Sequence, residues 1–346
     1  MLRFAIDWRV WVGVLLPIAA IAFTLRGVDL RQVAAHIGDA NPWLVLAMVP
    51  MHVLALYLRA LRWRWLARSL SEKPLPIRPL FRATALGFMA INVLPLRLGE
   101  LARPWLLGRE TEVRGSAALG TLVLERAIDF TAVSVMGGIV LYLHTKAMPG
   151  WVRSGAAIFA LFTLVPVAAI AALRIDERRT LALIAWFVRP FPDALRARVM
   201  DLVTEVCRGL AGLRGFHATA QVVFQTAVLW GIVLPAPFLL GLWAFDIQLP
   251  PRTMILATFT TNVFVALAVA APSAPGFFGV FHFACREALA LFGVPRAVAV
   301  AYGTLVHITY WLPVTLIGSV VAAQTGARLA EIVAPGLGKA PSGDHR

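Results

Sequence analysis

Six ionisable residues sit where charge is most expensive. Arg97, Glu100, Arg103, Glu125, Arg126 and Asp129 lie in or beside long apolar runs of a 346-residue chain that is 60% hydrophobic and 14% charged. An ionised side chain at bilayer depth costs at least about 2.5 kcal/mol, so a group of them ordinarily faces a protein interior, pairs internally and carries function. Glu125 and Asp129 are four residues apart and share one helix face, about 6 Å apart along the axis, and Arg126 reaches Asp129 at a spacing of three. Two acids and one base on one wall require an arginine from elsewhere. Arg97 and Arg103 are the candidates, which makes the group a structural ion-pair lock, a substrate site, or both.

The two arginines belong to the segment Asn92-Val93-Leu94-Pro95-Leu96-Arg97-Leu98-Gly99-Glu100-Leu101-Ala102-Arg103. Pro95 ends an incoming helix, Gly99 is expected in a backbone conformation closed to other residues, and the helix end beyond can present backbone groups to an anion. The planar guanidinium fork suits phosphate. The plainer alternative is a cytoplasmic cap whose charges simply reach water.

The elements that hold these residues follow from apolar length. Mean hydropathy is +0.78, and apolar runs long enough to span a bilayer recur near 10–25, 43–62, 117–143, 154–173, 218–243 and 297–322. The expected fold is an all-α polytopic membrane protein with about six full spans. Residues 80–94, ended by Pro95, and 255–271, followed by Pro272-Ser273-Ala274-Pro275-Gly276, read instead as broken or re-entrant helices. The longest stretch between spans, 174–217, is too short for a soluble catalytic domain. Residues 1–325 are thus expected to form one transmembrane domain, with 326–346 a disordered cytoplasmic tail. The run 10–25 resembles a signal peptide, but the spans after it favour an uncleaved first helix.

The formal charge of +14 raises nucleic acid as a partner. The arginines instead cluster in loops flanking the apolar spans, where anionic lipid head groups are the nearer counter-ions. Segment 59–79 holds Arg59, Arg62, Arg64, Arg68, Lys73 and Arg78, and 174–217 holds eight arginines, against two basic residues in 26–42, two in 144–153 and one in 244–253. The rich segments are expected to be cytoplasmic. With both termini inside, the counts agree only if 80–115 dips in and returns while 255–292 dips from the opposite side. The chain then reads as an inverted repeat of helix, broken hairpin and helix, the usual pointer to a transport site near the bilayer midplane.

Three motifs carry a family resemblance. Pro95-x-Arg97-x-Gly99-Glu100-x-x-Arg103, Glu125-Arg126-x-x-Asp129 and Pro275-Gly276-x-x-Gly279 resemble, in order and spacing, the lysylphosphatidylglycerol synthase transmembrane-region family, the flippase-like domain of the multiple peptide resistance factor. The likeness runs over roughly 10–325. It implies a membrane domain associated with moving lipids between leaflets, in the inner membrane of a bacterium, without the separate soluble domain that transfers lysine. Members often read Pro-Gly-Gly with a Glu soon after the following Gly. This chain has Phe277 at the second Gly and His282 near the expected Glu, with Arg286 and Glu287 one turn on, either replacing the lost charge or forming a surface pair.

Other features read more weakly. His307, Tyr310 and Trp311 either line a cavity or simply pack. In 195–214, Leu195, Val199, Leu202, Val203, Val206 and Leu213 share a face, the pattern of a helix lying on cytoplasmic head groups or of an ordinary loop helix. Cys207 and Cys285 show no paired or metal-type spacing, and no cofactor is implied. Three function classes remain. The first is a lipid translocase without a nucleotide loop, passive or ion-coupled, with Glu100, Glu125 and Asp129 as candidate proton carriers. The second is an integral-membrane enzyme such as a lipid-linked sugar transferase, which should show metal-ligand or nucleophile and base spacing that is not evident. The third is an accessory subunit, a homo-oligomer or the partner of a lipid-synthesis enzyme.

Overall fold

The computed structural model describes residues 21–22, 24–94, 99–143, 171–213, 215–270 and 275–327, with 150, 154, 164 and 168. The expected spans 10–25 and 154–173 lie almost wholly outside these residues, as do Arg97 and the tail from Arg328. All regular structure among the described residues is helical: α1 Leu30–Asp39, α2 Pro42–Leu66, α3 Ile77–Val93, α4 Ala102–Glu110, α5 Gly115–Leu143, α6 Glu177–Val188, α7 Asp193–Gly212, α8 Phe216–Val228, α9 Ala236–Ala244, α10 Pro251–Ala270, α11 Val280–Ala290 and α12 Arg296–Thr325. Helices α8 and α9 form one rod, joined by a π-turn at Leu229–Val233. This rod, α2, α5, α10 and α12 are each long and apolar enough to cross a membrane. The protein is an all-α, multi-pass membrane protein.

Local chemistry sets the element ends. The Asn41 side chain accepts from the backbone N–H groups of Trp43 and Leu44, and Pro42 occupies the first helical position of α2, where its missing N–H costs nothing. Gly326 ends α12 at φ 61°, in the left-handed region.

The first interrupted segment is a hairpin. Gly99 abuts Ala90 and Ile91, Arg103 lies against Gly87, and Arg82 pairs with Glu110 at 3.0 Å, so the returning arm α4 runs back down α3 to the level at which it entered. At 1.5 Å per residue the nine residues of α4 cover about 14 Å, half of a hydrocarbon core of about 30 Å. The second segment repeats the arrangement, with α10 followed by the short α11, and Leu291 after α11 shares an apolar cluster with Leu256 and Phe259 of α10. Its entering arm is longer than the apolar run predicts. Helix α10 starts at Pro251, and its 20 residues suffice to cross.

Two apolar cores correspond to the two units. One gathers Trp63, Leu86, Leu106 and Leu124 from α2 to α5, and the other gathers Phe238, Phe281, Leu289 and Tyr302 from α9 to α12. Helix α12 joins them. Gly318 lies so close to α3 that a Cβ would stand 2.2 Å from the Met89 Cβ, and Asn92 Nδ2 donates to Thr315 Oγ1 at 3.0 Å.

Of the two readings of 195–214, a head-group helix or an ordinary loop helix, helix α7 departs from the first by packing on protein. Val206, Leu210 and Leu213 are buried in the first core, Leu195 is exposed, and the helix lies across α5, with Gly120 against the Glu205 backbone and Gly209 against Thr121. An amphipathic helix looks the same in sequence whether its apolar face meets lipid or protein. Here two glycines bring it onto protein.

The hairpin geometry predicts a labelling result. Single cysteines at 72–76 and at 110–114 should react from the same side of the membrane. Reaction from opposite sides would mean that 80–115 crosses.

Candidate functional site

The wall of the site is α5. Glu125 and Asp129 are buried on one face of it, one turn apart. From α4, Arg103 grips Glu125 with two parallel bonds, Nη1 to Oε1 at 2.9 Å and Nη2 to Oε2 at 3.0 Å. The sequence makes room for that arm: a Cβ on Gly87 would sit 2.3 Å from the Arg103 Cγ. Trp63 fixes the guanidinium from behind, its ring centre 4.5 Å away and its indole N–H donating to Thr121 Oγ1 at 2.8 Å.

Helix α2 supplies two more cations. Arg62 Nη1 lies 2.7 Å from Asp129 Oδ1, with Nη2 3.6 Å from Glu125 Oε1, and Arg59 Nη1 donates to Asp129 Oδ2 at 3.2 Å. Arg126 Nη2 closes the cluster at 2.8 Å from Glu125 Oε1 and 3.5 Å from Asp129 Oδ2. Trp230, in the π-turn, donates its indole N–H to Asp129 Oδ1 at 2.9 Å. Glu100 lies within electrostatic reach of Arg126. Among the described residues, four arginines face three carboxylates, leaving one positive charge in excess.

Sequence reasoning placed Arg59 and Arg62 in a cytoplasmic loop. The structure corrects this, because α2 continues to Leu66 and both arginines are buried in the interior. Their spacing of three on a long, mainly apolar helix was the available signal. Gly99 also needs a different explanation. Glycine is required there by close approach, because a Cβ would stand 2.2 Å from the Ile91 nitrogen, and not by a left-handed backbone.

A cavity of about 190 Å³ lies between the two units. Its charged lining is Arg59, Arg126 and Asp129, while Arg62, Arg103 and Glu125 stand behind the wall. The rest is mainly aliphatic and aromatic, with Phe88 and Phe130 from the first unit and Phe238 and Phe281 from the second. All four arginines therefore help to neutralise the acids, but only Arg59 and Arg126 also face the void.

The second motif forms the turn of the second hairpin. Gly276 and Gly279 have φ of 65° and 85°, and a Cβ on Gly276 would stand 2.6 Å from Trp311 Nε1 and 3.0 Å from the Asn92 carbonyl. The tips of the two hairpins thus meet. Pro275 opens the turn, and His307 Nε2 lies 2.7 Å from the Gly276 carbonyl. His282 stacks among aromatic rings, 5.1 Å from His307, while Tyr310 lines the cavity and Trp311 packs on the turn. Arg286 and Glu287 pair with each other at 2.9 Å, and Arg286 also donates to the Thr24 carbonyl. They do not line the cavity and do not join the charge cluster.

Phe277 has φ of 62°, where a bulky residue is strained, and it occupies the position at which the resembling family often carries glycine. Its ring is buried and lines the cavity. Loss of a buried Phe costs about 3–5 kcal/mol, more than the one or two recovered from strain, so Phe277→Gly should lower the melting temperature. Phe277→Ala should lower it further, by about 1 kcal/mol, because alanine keeps the strain. Equal melting of the two variants would contradict the left-handed backbone.

Comparison with known proteins adds a family. Residues 10–318 match the family described as Lysylphosphatidylglycerol synthase TM region. The chain is 24% identical over 336 residues to Glycosyltransferase AglD of Haloferax volcanii, covering 89% of this chain and 53% of the relative, about half of that protein's length. It is 25% identical over 250 residues to a UPF0104 membrane protein of Methanothermobacter thermautotrophicus, covering 68% of this chain and 69% of the relative. No solved structure gives a significant match.

Proposed function

The chain belongs to the Lysylphosphatidylglycerol synthase TM region family, and from that premise we propose that it is a lipid translocase of a bacterial inner membrane, with both termini cytoplasmic. The observation that carries this reading is the division of labour among the arginines. Arg62 and Arg103 are enclosed with Asp129 and Glu125 behind the wall, whereas Arg59 and Arg126, each bonded to one of the same acids, also line an otherwise largely apolar cavity between the two hairpin units. Two guanidinium groups at the wall of such a cavity suit a phosphate, and the apolar surfaces suit the first carbons of acyl chains. Each acid is engaged by at least two cations, so Glu125 and Asp129 act as fixed counter-charges. Meeting hairpin tips are the natural moving parts.

The printed name of the Haloferax relative supports a second reading, in which the protein acts on or alongside a lipid-linked sugar. Among the described residues no cluster of metal-binding type occurs. The two readings separate on co-purified lipid. Mass spectrometry of wild-type protein should find an anionic phospholipid that is lost from the Arg59→Ala, Arg126→Ala double variant. An unchanged lipid profile, or a polyprenyl-linked sugar in both, would overturn the translocase.

A further inference from the structure

We propose that α6 is an in-plane membrane anchor: Leu183, Trp186 and Phe187 enter the leaflet at the arginine-rich end of the spans, and the arginines at the two ends of the helix gather anionic lipid around it. The proposal is independent of what the central cavity carries. Helix α6 is apolar on two sides, of which protein covers one. Thr180 is buried, Leu181 packs against the first core, and the helix rests on α7. On the other side Leu183, Trp186 and Phe187, spaced three and four apart, are 56%, 64% and 63% exposed. The two aromatic rings meet edge to face with centres 5.1 Å apart, so they form one patch. A contiguous apolar patch on the outside of a protein marks an interaction site.

The place of α6 in the fold brings that patch to the bilayer surface. The helical turn at 171–175 ends at Asp176, whose extended backbone, φ −146°, turns the chain into α6 and whose carboxylate caps the new helix by accepting from the Arg179 N–H. Helix α7, which carries α6, is held at the level where α2 ends, because Ser69 Oγ donates to the Arg208 carbonyl at 2.7 Å. Twelve residues cover about 18 Å, too little to cross a hydrocarbon core of about 30 Å. Charge then selects the lipid. Between 174 and 198 six arginines stand against three acids, a net +3, and exposed Arg178 and Arg189 flank the apolar face at its two ends. Aromatic residues on one face with arginines at the rim are the composition of a helix in the head-group plane, and basic residues there attract anionic lipid. A second copy of the chain is disfavoured as the occupant, because two such rims repel each other. The head-group position read for 195–214 thus falls to the preceding helix.

Depth measurements on the full-length protein, in nanodiscs of phosphatidylcholine mixed with phosphatidylglycerol, test the proposal. A nitrobenzoxadiazole probe on Phe187→Cys, with Cys207→Ala and Cys285→Ala, should be quenched by lipids carrying a nitroxide near the head group and spared by aqueous iodide. Spin-labelled phosphatidylglycerol should quench it about twofold or more better than spin-labelled phosphatidylcholine at equal mole fraction, and Arg178→Gln with Arg189→Gln should bring the two lipids together. Quenching by iodide alone leaves the face in water, and quenching by neither buries it against protein, whether a second copy or a partner; each result overturns the proposal. Equal quenching by the two spin-labelled lipids overturns it as well. Wild-type protein gives a reading that needs no variant. After photolysis with a phosphatidylglycerol bearing a diazirine at the start of an acyl chain, tryptic peptide 180–196 should carry a lipid adduct. Its absence there, while the spans are labelled, overturns the proposal whether or not the variants fold.

Discussion

Glu125→Gln should cost about 3–5 kcal/mol of stability and sharply reduce the amount of protein in the membrane. The carboxylate is fully buried and accepts both bonds of the Arg103 fork as well as one from Arg126, with Arg62 3.6 Å away. Neutralising it leaves four guanidinium groups to share Asp129 and Glu100. Arg103 is the one stranded, because Arg62 and Arg126 still reach Asp129 at 2.7 and 3.5 Å. The double change Glu125→Leu with Arg103→Leu should therefore be more stable than Glu125→Leu alone, since it removes the stranded charge along with its partner. Melting temperature in detergent and membrane abundance report both effects. An unchanged melting temperature in Glu125→Gln would mean that water fills the cluster.

The second large effect is on transport and spares the fold. Removing Arg59 leaves Asp129 with Arg62 and Trp230, and removing Arg126 leaves Glu125 with Arg103. No acid is abandoned, so Arg59→Ala and Arg126→Ala should each lower stability by only about 1 kcal/mol. If the pair holds a phosphate, each contact contributes about 1.5–3 kcal/mol, and losing both should slow lipid movement about a hundredfold or more. Arg126→Lys should rescue partly, because lysine keeps the charge and loses the fork.

How far these residues were legible in the sequence follows from the range of each signal. Glu125 and Asp129 were legible as a face because helical spacing is local, and Arg103 as one of two candidate partners, beside Arg97, because an acid pair inside a bilayer requires a cation. Arg59 and Arg62 were hidden by the rule that orients membrane proteins. Arginines at the end of an apolar run read as head-group ligands, and one further turn of α2, to Leu66, carries them inside. Trp230 was not legible, since its reach to Asp129 depends on a π-turn that no residue pattern announces. The hairpin at 80–110 was legible from Pro95 and Gly99, but the reason for Gly99 was tertiary. The apolar face of α7 was legible and its partner was not, because Gly120 and Gly209 act only once α5 and α7 meet.

The most direct test of the account is leaflet exchange of fluorescent phosphatidylglycerol in proteoliposomes carrying wild-type protein or the Arg59→Ala, Arg126→Ala double variant at equal reconstituted amounts. The account predicts rapid exchange with wild type and exchange near that of protein-free vesicles with the variant, although the variant melts close to wild type. Equal exchange by the two proteins would contradict it.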